Sequence, residues 1–223
     1  MNTLTTNTEH SVNIPSGNYF LNGLLYVPEK AQGLVLFVHG SGSSRFSARN
    51  QFVARSLNQA NLATLLFDLL TPEEDVIDNY TREYRFNISL LASRLIDATQ
   101  WCNTELMPFH LKIGYFGAST GGGAALVAAA QAPDTVKAIV SRGGRPDLAE
   151  TYLSSVLAPT LLIVGGYDAV VIELNEQALA QLKCIKRLEI IPGATHLFEE
   201  PGTLDEVARL AKDWFKHHLT STI

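Results

Sequence analysis

The sequence predicts an α/β fold, in which helices cover both faces of a doubly wound, mostly parallel sheet that follows an N-terminal antiparallel hairpin. Short apolar runs recur along the chain, and each is followed by a stretch of helical character. The runs are continuously hydrophobic rather than alternating, which is typical of strands buried on both faces. Because the chain has 223 residues, 46% of them hydrophobic, we expect a single domain over residues 1–223.

The elements follow in order along the chain. Two β-leaning runs, residues 11–14 and 19–27, are separated by Pro15, Gly17 and Asn18 and predict the hairpin. The later apolar runs predict parallel strands at residues 34–38, 63–67, 111–116, 136–140, 160–164 and 188–191. The stretches between them predict helices at 48–59, 87–101, 120–131, 147–154, 172–182 and 204–218. Residues 71–86, the least regular and most charged segment, are expected to form a long connection that either contributes to a ligand site or is a solvated loop.

Charge and composition argue against two classes of partner. A net charge of −5 with 17 Lys and Arg does not suit a nucleic-acid surface, which needs a basic patch, and it gives no attraction to an anionic membrane. The apolar runs are far shorter than the ~20 residues of a membrane-spanning helix, and the polar residues 1–10 do not resemble a signal peptide. We therefore expect a cytoplasmic protein in which Cys102 and Cys184 are free thiols rather than a disulfide.

The strongest local motif is Gly117-Ala118-Ser119-Thr120-Gly121, which lies between an apolar strand and a helix of small residues. A nucleophilic serine on a sharp strand-to-helix turn needs small residues two positions before and after it. The start of the helix also supplies N–H groups and a positive dipole end where an oxyanion would form. The alternative is an unreactive glycine-rich loop of the phosphate-binding kind, but its usual lysine is missing.

A serine nucleophile requires a base and an orienting acid. Of the histidines, only His196 follows the last predicted strand on a loop before the final helix, where it can reach back to the serine. Asp168 stands just beyond the strand at 160–164, between the serine and the histidine in chain order, whereas Asp68 precedes the serine and suits turn formation. The order Ser119, Asp168, His196 is the one expected of a triad on this type of sheet.

The oxyanion hole is predicted from two backbone N–H groups, those of Ser41 and Thr120. Ser41 lies in His39-Gly40-Ser41-Gly42, a loop that follows the first parallel strand, and its glycines permit a tight path. His39 is expected to brace this loop through hydrogen bonds. The alternative is a flexible Gly/Ser loop without a catalytic role.

Together these residues resemble the α/β-hydrolase superfamily and, within it, the small dienelactone-hydrolase-like group. The resemblance covers residues 34–219 and implies an α/β-hydrolase fold without a large cap domain and a Ser–His–Asp enzyme acting on an ester, lactone or thioester. Dienelactone hydrolases carry a cysteine nucleophile, whereas this chain has Ser119. The resemblance in fold therefore does not imply the specific dienelactone activity for this chain.

That group's preference for carboxylate-bearing substrates prompts a further hypothesis. Arg142 and Arg145 follow a predicted strand. Arg45 follows the loop at residues 39–42, which we call the oxyanion loop. Guanidinium groups hold carboxylates by paired hydrogen bonds, so these three side chains are candidate substrate-binding residues. The alternative is ordinary pairing with Asp and Glu.

The predicted reaction is hydrolysis of an acyl bond in a small molecule through an acyl-enzyme, with no cofactor and no metal. Two alternatives stay open at this point: acyl transfer to an acceptor other than water, and a catalytically silent small-molecule-binding protein of the same fold. The sequence indicates no oligomeric state.

Overall fold

A computed structural model describes residues 4–220, and an eight-stranded sheet forms its centre. The strands are β1 (Glu9–Ser16), β2 (Tyr19–Tyr26), β3 (Gly33–Val38), β4 (Leu62–Phe67), β5 (Ile113–Ala118), β6 (Val136–Arg142), β7 (Thr160–Gly165) and β8 (Lys186–Ile191). Their order in the sheet is β1-β2-β4-β3-β5-β6-β7-β8. β1 pairs antiparallel with β2, and β2 with β4, while the pairs from β4 to β8 are parallel. The predicted fold class is confirmed.

Within the described range, six α-helices accompany the sheet: α1 (Ala48–Gln59), α2 (Pro72–Thr81), α3 (Ile88–Glu105), α4 (Thr120–Gln131), α5 (Ala169–Gln181) and α6 (Thr203–Leu219). Helices α1 and α6 pack together on one face, and α3 and α4 pack on the other. Every residue of β3 is buried, and the neighbours Leu36 and Phe37 belong to the cores on opposite faces. Coverage of both faces explains why the apolar runs do not alternate.

Residues 71–86 differ from the prediction, because they contain α2 rather than an irregular connection. Thr71 and Glu74 form a capping box, and Pro72 occupies the first turn, where a missing N–H costs nothing. The Arg94 guanidinium holds both oxygens of Glu74 at 2.5 Å and ties α2 to α3. The capping signature was readable in the sequence, but charged residues and the lack of an apolar stripe hid the helix.

The prediction of a regular helix at residues 147–154 is also wrong in the type of helix. The segment Pro146–Ser155 is a 3-10 helix interrupted at Glu150, whose φ of 45° and ψ of −123° are not helical. It packs between α4 and α5.

Cys102 and Cys184 are free thiols, as predicted. Among residues 4–220 there is no large inserted cap domain, and no helix there combines the length and apolarity that crossing a bilayer requires.

Candidate active site

Ser119 occupies the turn between β5 and α4, with φ 52° and ψ −121°. This is a strained conformation for a residue with a side chain. The flanking glycines are required by close approach of the backbone. A Cβ on Gly117 would lie 2.6 Å from the carbonyl oxygen of Gly121, and a Cβ on Gly121 would lie 2.1 Å from the carbonyl oxygen of Val38. The motif therefore forms a sharp elbow with Ser119 at its tip.

The end of β6, the loop after it and the first turn of α4 hold the backbone of Ser119. The Ser119 N–H donates to the carbonyl of Arg142 at 3.2 Å, and the Ser119 carbonyl accepts from the Gly122 N–H and the Arg145 N–H, each at 3.0 Å. These three bonds satisfy the backbone of a residue whose φ and ψ are unfavourable. They are one reason why the strained conformation persists.

Asp168 and His196 meet at the carboxyl end of the sheet. Asp168 follows β7, and its Oδ2 lies 2.5 Å from Nδ1 of His196, which stands on the loop between β8 and α6. The Asp168 side chain is 16% exposed and that of His196 38%, so the imidazole is the more accessible of the two. Gly143 lies against the ring, where a Cβ would be 3.4 Å from Cε1. This pair has the arrangement of an acid that orients a base.

Ser119 and His196 line one pocket of about 250 Å³, which we call the catalytic pocket. The two side chains share this pocket without a hydrogen bond between them in the described structure. Such contacts are often long before substrate binds. The structure thus brings together the three residues that the sequence singled out, two by direct contact and the third across the pocket.

The loop after β3 packs against the elbow. A Cβ on Gly40 would lie 3.1 Å from the Cβ of Ser119, and the hydroxyls of Ser41 and Thr120 are 3.0 Å apart. Neither the Ser41 N–H nor the Thr120 N–H donates a hydrogen bond within residues 4–220. Both donors are therefore free beside the serine, at the positions where an oxyanion hole was predicted.

His39 braces this loop, as the sequence predicted. Its Nε2 accepts the Leu69 N–H at 3.0 Å, and its Nδ1 lies 2.9 Å from the Gly40 carbonyl, to which it donates. The side chain is buried, and burial lowers the pKa of His39 below its usual value. A neutral imidazole with one donor and one acceptor suits both contacts.

Two of the three candidate arginines are paired with carboxylates. Arg45 forms an ion pair with Asp68, which also accepts the Arg45 N–H at 2.7 Å. Arg145 binds Asp147 through two bonds of 2.7 and 2.8 Å. For these two side chains the alternative of ordinary ion pairing holds in the structure.

Arg142 is different, because it is buried in the catalytic pocket and forms no ion pair with a carboxylate of residues 4–220. It is 7% exposed. Within the described part of the chain its side chain donates one hydrogen bond, to Oδ1 of Asn50 at 3.3 Å, while Nε and Nη1 have no partner there. Burial and the nearby charge of Arg49 lower the pKa of Arg142 to about 10. An unpaired buried cation is costly, so this side chain is suited to receive an anion.

Arg49 and Asn50 also line the catalytic pocket, and the sequence reasoning missed them. Both lie in the first turn of α1, far from the motifs in the chain. Arg49 contacts Glu199 at 3.4 Å, but its Nε is buried and has no partner. No local signal marks these residues, because only the packing of α1 against the loop before α6 brings them to the pocket.

A second pocket of about 310 Å³ lies between the oxyanion loop and α2, and we call it the α2 pocket. The two pockets share Gly40, Ser41 and Ser43, and Thr120 lines only the α2 pocket. Its apolar walls include Phe46, Leu69, Leu70 and Leu91. Within residues 4–220 no group of three His, Cys, Asp or Glu side chains is arranged to hold a metal ion.

The fold and the elbow define an α/β-hydrolase-type protein, and comparison with known proteins gives the family. The chain belongs to the dienelactone hydrolase family, whose model matches residues 49–220. The crystal structure of a dienelactone hydrolase from Anabaena variabilis is 62% identical, with a TM-score of 0.93 over 95% of this chain and 98% of that one. A lidless α/β serine hydrolase from Xanthomonas campestris shares the fold at 17% identity, with a TM-score of 0.76 over 100% of both chains.

A longer relative is a Mycobacterium tuberculosis protein that is provisionally named a phosphoribosyl transferase. It is 58% identical over 211 residues, which make up 95% of this chain but only 47% of that protein. The chain thus spans about half the length of this relative.

Proposed function

We propose that this protein is a serine hydrolase that cleaves an ester, lactone or related acyl bond of a small molecule through an acyl-enzyme. Ser119 is the nucleophile, His196 the base and Asp168 the orienting acid. The observation that carries the proposal is the strained Ser119 at the tip of the elbow, which shares a pocket with the imidazole that Asp168 binds at 2.5 Å.

The first half of the reaction forms the acyl-enzyme. The Ser119 oxygen bonds to the carbonyl carbon while His196 takes the hydroxyl proton, and the Ser41 and Thr120 N–H groups bind the oxyanion. The bond to the leaving group then breaks, and His196 returns the proton to the leaving oxygen. Asp168 holds the imidazole in the required tautomer and stabilises the imidazolium.

The second half releases the acid. Water replaces the leaving group, gives a proton to His196 and attacks the acyl carbon, and the proton returns to Ser119 as the acid departs. Acyl transfer would use the same steps with an alcohol or thiol in place of water. Product analysis in the presence of competing alcohols distinguishes the two: transfer predicts a new ester, and hydrolysis predicts the free acid alone.

The test of the site is covalent labelling with a fluorophosphonate probe. We expect stoichiometric labelling of the unaltered protein, none in Ser119→Ala, and full labelling in the control Ser154→Ala, which changes an exposed serine outside the site. Failure of the folded, unaltered protein to react would favour a binding protein without catalysis. Labelling that persists in Ser119→Ala would place the nucleophile elsewhere.

We also propose that Arg142 selects substrates that carry a carboxylate. The support is its buried guanidinium with two unpartnered nitrogens in the catalytic pocket, since hydrogen bonds to charged groups contribute about 1.5–3 kcal/mol. We expect Arg142→Ala to lower the preference for a carboxylated ester over its neutral analogue by about 10- to 100-fold. Arg145→Ala, which removes a paired arginine, is the control, and an unchanged preference in Arg142→Ala would remove Arg142 from this role.

The name of the Mycobacterium tuberculosis relative does not change the proposal. The match covers 95% of this chain but only 47% of that protein. We infer that this chain does not catalyse phosphoribosyl transfer. An assay of this chain for phosphoribosyl transfer is expected to show no turnover, and turnover would overturn the inference.

A further inference from the structure

We infer that the α2 pocket holds the acyl group of the substrate, and that the anionic group bound by Arg142 belongs to the leaving group. This inference rests on the proposed function and divides the substrate between the two pockets. It identifies the substrate class as an ester of an uncharged, largely apolar acid with an alcohol or phenol that carries an acidic group.

The position of His196 decides where the leaving group lies. The leaving oxygen must receive its proton from His196, which requires hydrogen-bond reach of the imidazole. His196 lines the catalytic pocket and not the α2 pocket. The leaving group therefore occupies the catalytic pocket, together with Arg142.

The acyl substituent then has to extend away from His196. The oxyanion lies between the Ser41 and Thr120 N–H groups, and the α2 pocket opens at these two residues. It is the neighbouring cavity that shares the oxyanion loop with the catalytic pocket. Its volume of about 310 Å³ is at the lower end of the range for small-molecule sites, which fits a medium-sized acyl group.

The charges of the two pockets support the same division. In the α2 pocket, Arg45 is paired with Asp68, and Arg85 is held by Asp78 at 2.5 Å. In the catalytic pocket, no carboxylate among the residues that the structure describes pairs with Arg142. Since both of these cations of the α2 pocket are already neutralised by carboxylates, an uncharged group suits that pocket, whereas an anion suits the other.

The assignment of the acyl group to the α2 pocket is tested with p-nitrophenyl acetate and p-nitrophenyl hexanoate, which share one leaving group. Leu91 is buried and lines the α2 pocket, so Leu91→Phe fills space that the longer chain needs. Each buried methylene contributes about fourfold to kcat/KM. Exclusion of two methylenes therefore lowers the hexanoate-to-acetate ratio by about 15-fold. Leu90→Phe, on the same helix but outside the pocket, leaves the ratio unchanged.

Leu91→Ala provides the opposite perturbation should the larger side chain fail to fold. It lengthens the cavity, and we expect the decanoate-to-hexanoate ratio of kcat/KM to rise. Equal ratios in the unaltered protein and in both folded Leu91 variants would overturn the assignment of the acyl group to the α2 pocket.

The assignment of the anionic group to the leaving group is tested with two acids that carry the carboxylate on opposite sides of the ester bond, and with their methyl esters. In para-acetoxybenzoate the carboxylate is on the leaving group, and in phenyl hydrogen succinate it is on the acyl group. We expect the unaltered protein to prefer para-acetoxybenzoate over its methyl ester by about tenfold or more, and Arg142→Ala to lose that preference. A preference for phenyl hydrogen succinate that depends on Arg142 would overturn the inference while leaving the serine-hydrolase proposal intact, whereas absence of any ester turnover would remove the proposed function itself.

Discussion

Replacement of Arg142 by methionine should stabilise the free protein, because the buried guanidinium lacks a counter-charge. Methionine fills a similar apolar volume and removes the charge. Burial lowers the pKa of Arg142 to about 10 in the folded state. At about 1.4 kcal/mol for each pKa unit, the charged form costs on the order of 3 kcal/mol.

Part of that gain is lost, because the variant leaves the Asn50 oxygen without its bond at 3.3 Å. We therefore expect a net increase in the free energy of unfolding of about 1–3 kcal/mol. For a chain of 223 residues this corresponds to a rise in Tm of roughly 2–10 °C.

The assay is thermal unfolding at neutral pH, with and without benzoate as a carboxylate probe. Benzoate should raise the Tm of the unaltered protein by binding the folded state and should leave that of Arg142→Met unchanged. Arg145→Met is the control, since substitution of a partly exposed, paired arginine is expected to change stability by no more than about 0.5 kcal/mol. A Tm for Arg142→Met several degrees below that of the unaltered protein would refute the reasoning.

Three other predictions follow from the same geometry. Gly121→Ala should abolish stable folding, because its Cβ would lie 2.1 Å from the Val38 carbonyl oxygen, and a variant with normal unfolding behaviour would contradict the close approach. Asp168→Asn should keep the fold and lower kcat by a factor on the order of 10⁴, measured with an activated ester; near-normal turnover would exclude Asp168 as the orienting acid. Burial lowers the pKa of His39, so the unfolded chain binds the proton more readily than the folded protein. The free energy of unfolding should therefore fall as the pH drops below about 6.5. In denaturant titrations His39→Gln should show a weaker pH dependence of this free energy, and an equal dependence would argue against a neutral, buried imidazole.

The fold and the elbow were predictable because their signals are local. The continuous apolar runs reflect a sheet covered on both faces, and the five residues around Ser119 have to satisfy one strained turn. The order of Ser119, Asp168 and His196 along the chain was sufficient to select the candidate acid and base, because parallel strands all end at the same edge of the sheet.

Other features were missed or misread where the signal was weak or not local. Helix α2 is short and charged, and it is held in place by Arg94 from another helix. The kink at Glu150 depends on packing between α4 and α5, which nothing in the local residue pattern indicates.

By itself, the sequence determined the sheet, the sharp turn at Ser119 and the identities of the candidate base and acid, since each depends on residues that are neighbours in the chain or on the direction of strands. Only the tertiary structure decided which arginine is available to an anion. Arg45 and Arg145 lie close to carboxylates, whereas Arg142 is enclosed beside Asn50 and Arg49 of α1. The partners of a charged side chain depend on contacts between distant segments, and burial then sets the free-energy cost of leaving that charge unpaired.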